Sequence, residues 1–133
     1  PGSDAFVAGL PSRGGADVRG LGFVEDLGAL FESCRLFLAP LTEGGGIKIK
    51  ILEAMGRGLP VVTTPIGAEG ITEAADETAW LAADIEDFAA QALAAATRPE
   101  EAQRRAARAR RLIEDNFSWQ AIAGRLTAIY ERI

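Results

Sequence analysis

The sequence predicts an α/β chain built on a parallel sheet, and three observations carry that prediction. Short apolar runs without polar alternation, Leu36-Phe37-Leu38-Ala39-Pro40 and Leu59-Pro60-Val61-Val62-Thr63, suit strands buried on both faces. Longer stretches with helical periodicity separate and follow them. Three consecutive glycines, Gly44, Gly45 and Gly46, stand between the first run and a helical segment. Strands alternating with helices imply parallel pairing with right-handed crossovers.

The elements follow in order. Residues 1–20 read as a loose N-terminal segment with a short strand at Phe6-Val7-Ala8, and residues 21–24 as a strand. Asp26 is placed to cap a helix over 27–33. Residues 36–40 form the next strand, ended by Pro40. Ile47-Lys48-Ile49-Lys50-Ile51 alternates like a half-exposed strand, while Ile47, Ile51 and Met55 share a helical face. The glycines before it and Gly56-Arg57-Gly58 after it match helix boundaries, so a helix is expected. Strands follow at 59–63 and 78–82, then an alanine-rich helix at 85–97. Pro99 opens another helix, running to about Asn116. Ser118 is positioned to cap a terminal helix, 119–132, with Ile122, Leu126, Ile129 and Ile133 on one face. Phe117 and Trp119 are expected to anchor that helix, and an exposed apolar patch there would mark an interface.

Length and composition bound the answer. With 133 residues the chain has room for one domain spanning 1–133 and one core. Apolar residues at 48% and charged residues at 25% fit a soluble cytoplasmic domain, and a net charge of −5 argues against a nucleic-acid surface. No apolar run approaches the roughly 20 residues of a membrane span. The single cysteine, Cys34, cannot close an internal disulfide and is expected to be a small buried side chain. With no histidine and no recognisable ligand spacing, no metal is expected.

The chemistry concentrates at Glu43-Gly44-Gly45-Gly46-Ile47-Lys48-Ile49-Lys50-Ile51-Leu52-Glu53. Glycines allow left-handed backbone and close ligand approach, and the amide groups opening a helix attract an anion such as phosphate. If the helix starts near Gly46, Glu53 sits about 10 Å along its axis, the reach from a diphosphate to its ribose. In parallel sheets ligands bind beyond the strands' C-terminal ends, where residues 42–46 would lie. Lys48 and Lys50 are candidates to assist a diphosphate, with an exposed helix face as the plainer reading. The loop at 64–70, with Glu69, is either a simple turn or part of a sugar pocket.

Gly45-Gly46-Ile47-Lys48-Ile49-Lys50-Ile51-Leu52-Glu53-Ala54-Met55 followed by Gly58-Leu59-Pro60-Val61-Val62 resembles the donor-site signature of the retaining GT-B-fold glycosyltransferases of group 1. The resemblance extends to Gly22-Phe23-Val24-Glu25-Asp26-Leu27 upstream and to Thr63-Thr64-Pro65-Ile66-Gly67-Ala68-Glu69-Gly70-Ile71 and Phe117-Ser118-Trp119 downstream. It implies a Rossmann-like, three-layer αβα parallel sheet with C-terminal helices, the second half of a GT-B fold and incomplete at its N-terminus. The implied substrate is a nucleoside-diphosphate sugar, transferred to a hydroxyl acceptor with retention and without a metal or other cofactor.

By the same resemblance Glu53 matches the acid that holds the ribose, Gly45, Gly46 and Ile47 the loop that meets the diphosphate and sugar, and Phe23, Val24 and Leu27 the base site. Many members carry a further glutamate eight positions before the ribose acid. Gly45 stands there in this chain, and Glu43, two residues earlier, is the nearest candidate for a catalytic contact. The resemblance also implies a partner, the N-terminal acceptor-binding half, without which the chain is expected to be inactive.

Arg104, Arg105, Arg108, Arg110 and Arg111 form a basic cluster. Acids four residues away predict ion pairs of Glu100 with Arg104, Glu101 with Arg105, Arg110 with Glu114 and Arg111 with Asp115. Peripheral contact with anionic lipid is the sharper alternative. Two other functions compete: a nucleotide-binding module without catalysis, and a receiver domain, for which Asp84 is the only acid suitably placed after a strand.

Overall fold

The computed structural model describes residues 18–71 and 75–132 and divides the chain into two compact units, Pro1–Glu32 and Ser33–Ile133. The strand expected at Phe6-Val7-Ala8 lies outside the described residues.

In the first unit, residues 18–26 are irregular, so the strand expected at 21–24 does not form. Gly22, at φ 62°, lies in the left-handed region, which interrupts an extended run. Helix α1 (Leu27–Ser33) begins where expected, its Ala29 amide donating to Asp26 Oδ1 at 3.0 Å.

The second unit contains strands β1 (Phe37–Ala39), β2 (Val61–Thr63) and β3 (Trp80–Leu81), ordered β1-β2-β3 and parallel throughout. Helix α2 (Ile49–Gly56) links β1 to β2. Short helices α3 (Pro65–Ala68) and α4 (Ala75–Thr78) lie between β2 and β3, and α5 (Ile85–Thr97), α6 (Pro99–Asn116) and α7 (Trp119–Tyr130) follow. Val61, Val62 and Thr63 are all buried. Because successive strand side chains point to opposite faces, both faces of β2 are covered. Val62 joins Trp80, Phe88, Ala95 and Ala102 in one cluster under α5 and α6. Thr63, on the other face, meets Gly67 of α3, which also touches Ile51 of α2. This is the three-layer arrangement.

Local signals account for several boundaries. Gly58, at φ 76°, closes α2: its amide donates to Met55 O at 2.9 Å and that of Leu59 to Ala54 O at 3.0 Å, the paired bonds of a Schellman end. Asp84 accepts from the Asp87 amide at 2.8 Å to start α5, and Pro99 opens α6.

Other expectations are corrected. The strands are shorter than the apolar runs, and Leu38 of β1 is 50% exposed because β1 is an edge strand among the described residues. Cys34 is exposed, since β1 starts only at Phe37 and leaves the cysteine in the connection. Helix α2 starts at Ile49, not near Gly46, so Glu53 is its fifth residue, about 6 Å from its start. Residues 65–68 are a helical turn capped by Thr64, and α4 has no counterpart in the sequence reading. Trp119 is 86% exposed and no residue of α7 is buried, so Trp119 does not anchor that helix. Its cap is as expected, with the Ala121 amide donating to Ser118 Oγ at 3.1 Å.

Of the four expected ion pairs, Glu101–Arg105 (2.9 Å) and Arg110–Glu114 (2.8 Å) form. Among the described residues none joins Glu100 to Arg104 or Arg111 to Asp115; Arg108 instead pairs with Glu77 at 3.4 Å. The Arg105 guanidinium beside Glu101 holds that carboxyl below its ordinary pKa. A carboxyl whose pKa is depressed by folding stabilises the fold above its unfolded pKa, about 4.3, and loses that contribution as pH falls through the folded value. Urea unfolding of wild type below about pH 4.3 should therefore show a fall in stability that Glu101→Gln flattens; parallel curves would remove Glu101 from the acid response.

Candidate functional site

The C-terminal ends of three parallel strands converge on one rim. Residues 40–48 leave β1, Thr64 starts the connection after β2, and Ala83 and Asp84 lead from β3 into α5. Thr63 Oγ1 donates to Ala39 O at 3.0 Å and Thr64 Oγ1 to Leu41 O at 2.6 Å, while Thr64 also accepts from the Gly67 amide at 3.2 Å. Two threonines thus tie the end of β2 to the chain leaving β1. Between these connections lies a cleft of about 440 Å³ lined by Leu41 and Thr42, by Thr64 and Ile66, and by Asp84 and Phe88. The Asp84 carboxylate is engaged by the Asp87 amide, and Asp87 accepts from the Ala83 amide at 2.9 Å. That backbone bond, with a smaller contribution from the Gln91 side chain, holds the Asp87 carboxyl below its ordinary pKa.

The glycine loop lies on the same rim. Gly44 and Gly46 take φ of 109° and 73°, conformations that only glycine adopts cheaply. Among the described residues, no hydrogen bond engages the amide groups from Gly44 to Lys50. These are the unpaired donors that a loop and a helix start present together. Lys48 precedes α2 without capping it, and its ammonium turns back to donate to Gly46 O at 2.5 Å and Gly44 O at 3.3 Å. Glu69 approaches it at 3.6 Å. Residues 44–48 are therefore brought together with residues 69–70, a link that nothing in the sequence signals.

The remaining sequence candidates are spread out. Glu53 is partly buried on α2, and one carboxylate oxygen meets Arg57 at 3.4 Å. Glu43 is exposed at the loop's entry. None of Glu43, Gly45, Gly46, Ile47, Lys48 and Glu53 lines the 440 Å³ cleft. Phe23, Val24 and Leu27 belong to the first unit, where Phe23 is 94% exposed. The sequence reading missed the two threonines. Their signal was present, since Thr64-Pro65 is a hydroxyl cap followed by proline at the first helical position. Among the described residues no three Cys, Asp or Glu side chains come together as metal ligands, and no helix is long and apolar enough to cross a membrane.

A parallel α/β sheet with a glycine loop and an open helix start at its C-terminal rim defines the class. The chain belongs to the glycosyl transferases group 1 family, which matches residues 4–98, and this sets aside a receiver domain. It is 41% identical over 46 residues to an uncharacterised 44.6 kDa protein in the cps region of Klebsiella pneumoniae, a match covering 35% of this chain and 12% of that protein. Its fold is shared with sucrose-phosphate synthase from Thermosynechococcus elongatus, at a TM-score of 0.64 and 22% identity over 77% of this chain and 26% of that one. The chain thus spans a small part of the length of both.

Proposed function

We propose that this chain is the donor-binding part of a retaining glycosyltransferase that moves a sugar from a nucleoside diphosphate to a hydroxyl acceptor. The observation that carries the proposal is the run of amide groups from Gly44 to Lys50 that find no partner among the described residues, at the strand ends of a chain of this family. Such donors suit the diphosphate, and Gly45, Gly46 and Ile47 supply them without a side chain in the way. As the glycosidic bond breaks, negative charge grows on the leaving diphosphate, and fixed amide donors stabilise that charge more than the ground state. No metal is required for this step. Among the described residues Glu53 is engaged through one oxygen only, which leaves the other to accept from ribose hydroxyls, and Glu43 is the acid nearest the sugar. Acceptor binding belongs to a separate half of the enzyme, and the site works in the cytoplasm.

The test is an NMR titration of the chain with UDP, GDP and ADP. One nucleotide should shift the amides from Gly44 to Ile47. Glu53→Ala should weaken it 10- to 100-fold, the loss expected for a charge-assisted hydrogen bond pair of about 1.5–3 kcal/mol. Silence at those amides with all three nucleotides at millimolar concentration would defeat the proposal.

A further inference from the structure

The Lys48 side chain is the most enclosed ionic group at the loop, 11% exposed; its ammonium donates to Gly46 O and Gly44 O and pairs with the Glu69 carboxylate at 3.6 Å. An ammonium so placed is turned into the loop and toward Glu69. Its effect on the backbone follows from peptide geometry. In a trans peptide the carbonyl of one residue and the amide of the next point in opposite directions, and among the described residues no peptide bond is cis. Drawing the Gly44 and Gly46 carbonyls toward Nζ therefore turns the Gly45 and Ile47 amides away from it. Residues of alternating hand with successive outward amides make an anion-binding concavity.

A second contact fixes the same loop. A Cβ on Gly70 would lie 2.7 Å from Ile47 Cγ1, so the Ile47 side chain rests directly on the Gly70 backbone. Adjacent residues of the loop, Ile47 and Lys48, thus meet adjacent residues of the turn, Gly70 and Glu69.

We propose that Lys48 is a positioning residue that holds the glycine loop from within, aiming the Gly45 and Ile47 amides at an anion, with Glu69 as the counter-ion that locks the loop to the 69–70 turn. Only the identity of the anion, the diphosphate of a nucleotide, rests on the function proposed above; the positioning is a property of the ligand-free chain.

The experiment is NMR of the ligand-free chain, followed by addition of the nucleotides. In wild type the Lys48 ammonium should give a resolved, slowly exchanging signal, whereas exposed Lys50 should not. Lys48→Met should drop backbone order parameters at Gly44–Gly46 from about 0.85 to below about 0.6 while core signals such as Val62 and Ile71 stay in place. With nucleotide bound, the Gly45 and Ile47 amides should move more than the ammonium, and Lys48→Met should weaken binding at least tenfold. A Lys48→Met variant that loses affinity with an unchanged, ordered loop would overturn the proposal, because Lys48 would then be a direct phosphate ligand. A Lys48 ammonium exchanging as fast as that of Lys50 would also overturn it, and this readout needs no variant to fold. If no nucleotide binds, the function proposed above fails, and the ligand-free measurements still decide the role of Lys48.

Discussion

Gly67→Ala should cost about 3 kcal/mol of stability, with a fall in Tm on the order of 10 °C. A Cβ at this position would sit 1.9 Å from Thr63 Oγ1 and 3.2 Å from Ile51 Cδ1. Neither neighbour has room to retreat, since Thr63 and Ile51 are fully buried. Turning the Thr63 side chain would break its bond to Ala39 O and leave a hydroxyl unpaired in the core, which costs about 1–3 kcal/mol by itself. Moving α3 would pull the Gly67 amide from Thr64 Oγ1. Thermal or urea unfolding measures the cost. The paired variant Gly67→Ala with Thr63→Val keeps the clash and should not recover stability, whereas Thr63→Ser, lacking only the methyl group, should recover little. A stable Gly67→Ala protein would mean that α3 is free to shift from β2.

Arg105→Ala should cost a comparable amount, about 3 kcal/mol. The guanidinium donates from Nη1 to Ala79 O at 2.7 Å and to Asp76 O, and from Nε and Nη2 to Glu101. It also lies 4.6 Å over the Trp80 ring. One side chain of α6 thereby holds the end of α4 and the start of β3. Ala79 and Trp80 are buried, so removing the arginine leaves a carbonyl without its donor and strips a ring of its cation. Arg105→Lys should recover less than half, because a single ammonium cannot span the Ala79 carbonyl, the Glu101 carboxylate and the ring as a planar fork does. Full stability in Arg105→Lys would show that charge alone matters at this position. A nucleotide titration on Arg105→Ala, run below its melting range, should match wild type, since the residue stands away from the glycine loop in the chain and contacts none of it.

The basic cluster illustrates what a sequence reading carries and what it does not. Spacing on α6 was enough to pair Glu101 with Arg105 and Arg110 with Glu114, because partners four residues apart share a helical face whatever surrounds them. The second half of Arg105's bonding, to residues 26 and 29 positions away, has no periodic signature. The glycine loop divides the same way. Its glycines, the helix after it and the end of that helix at Gly58 were legible, while the contacts of Lys48 with Glu69 and of Ile47 with Gly70 were not. The misplaced strand at residues 21–24 and the exposed Cys34 share one cause: an apolar run specifies a strand only when a neighbour is there to pair with it and cover it.

By itself the sequence determined the parallel α/β class, the bounds of α5 and α6, the caps at Asp26 and Ser118, and the family, because each rests on hydrogen bonds within a turn or on an ordered series of short motifs. Tertiary structure alone decided which way Lys48 turns, why residue 67 has no side chain, which helices cover each face of β2 and where Arg105 ends. Those depend on residues of separate elements meeting at van der Waals distance, and the energy of such a meeting resides in both partners and in neither sequence segment alone.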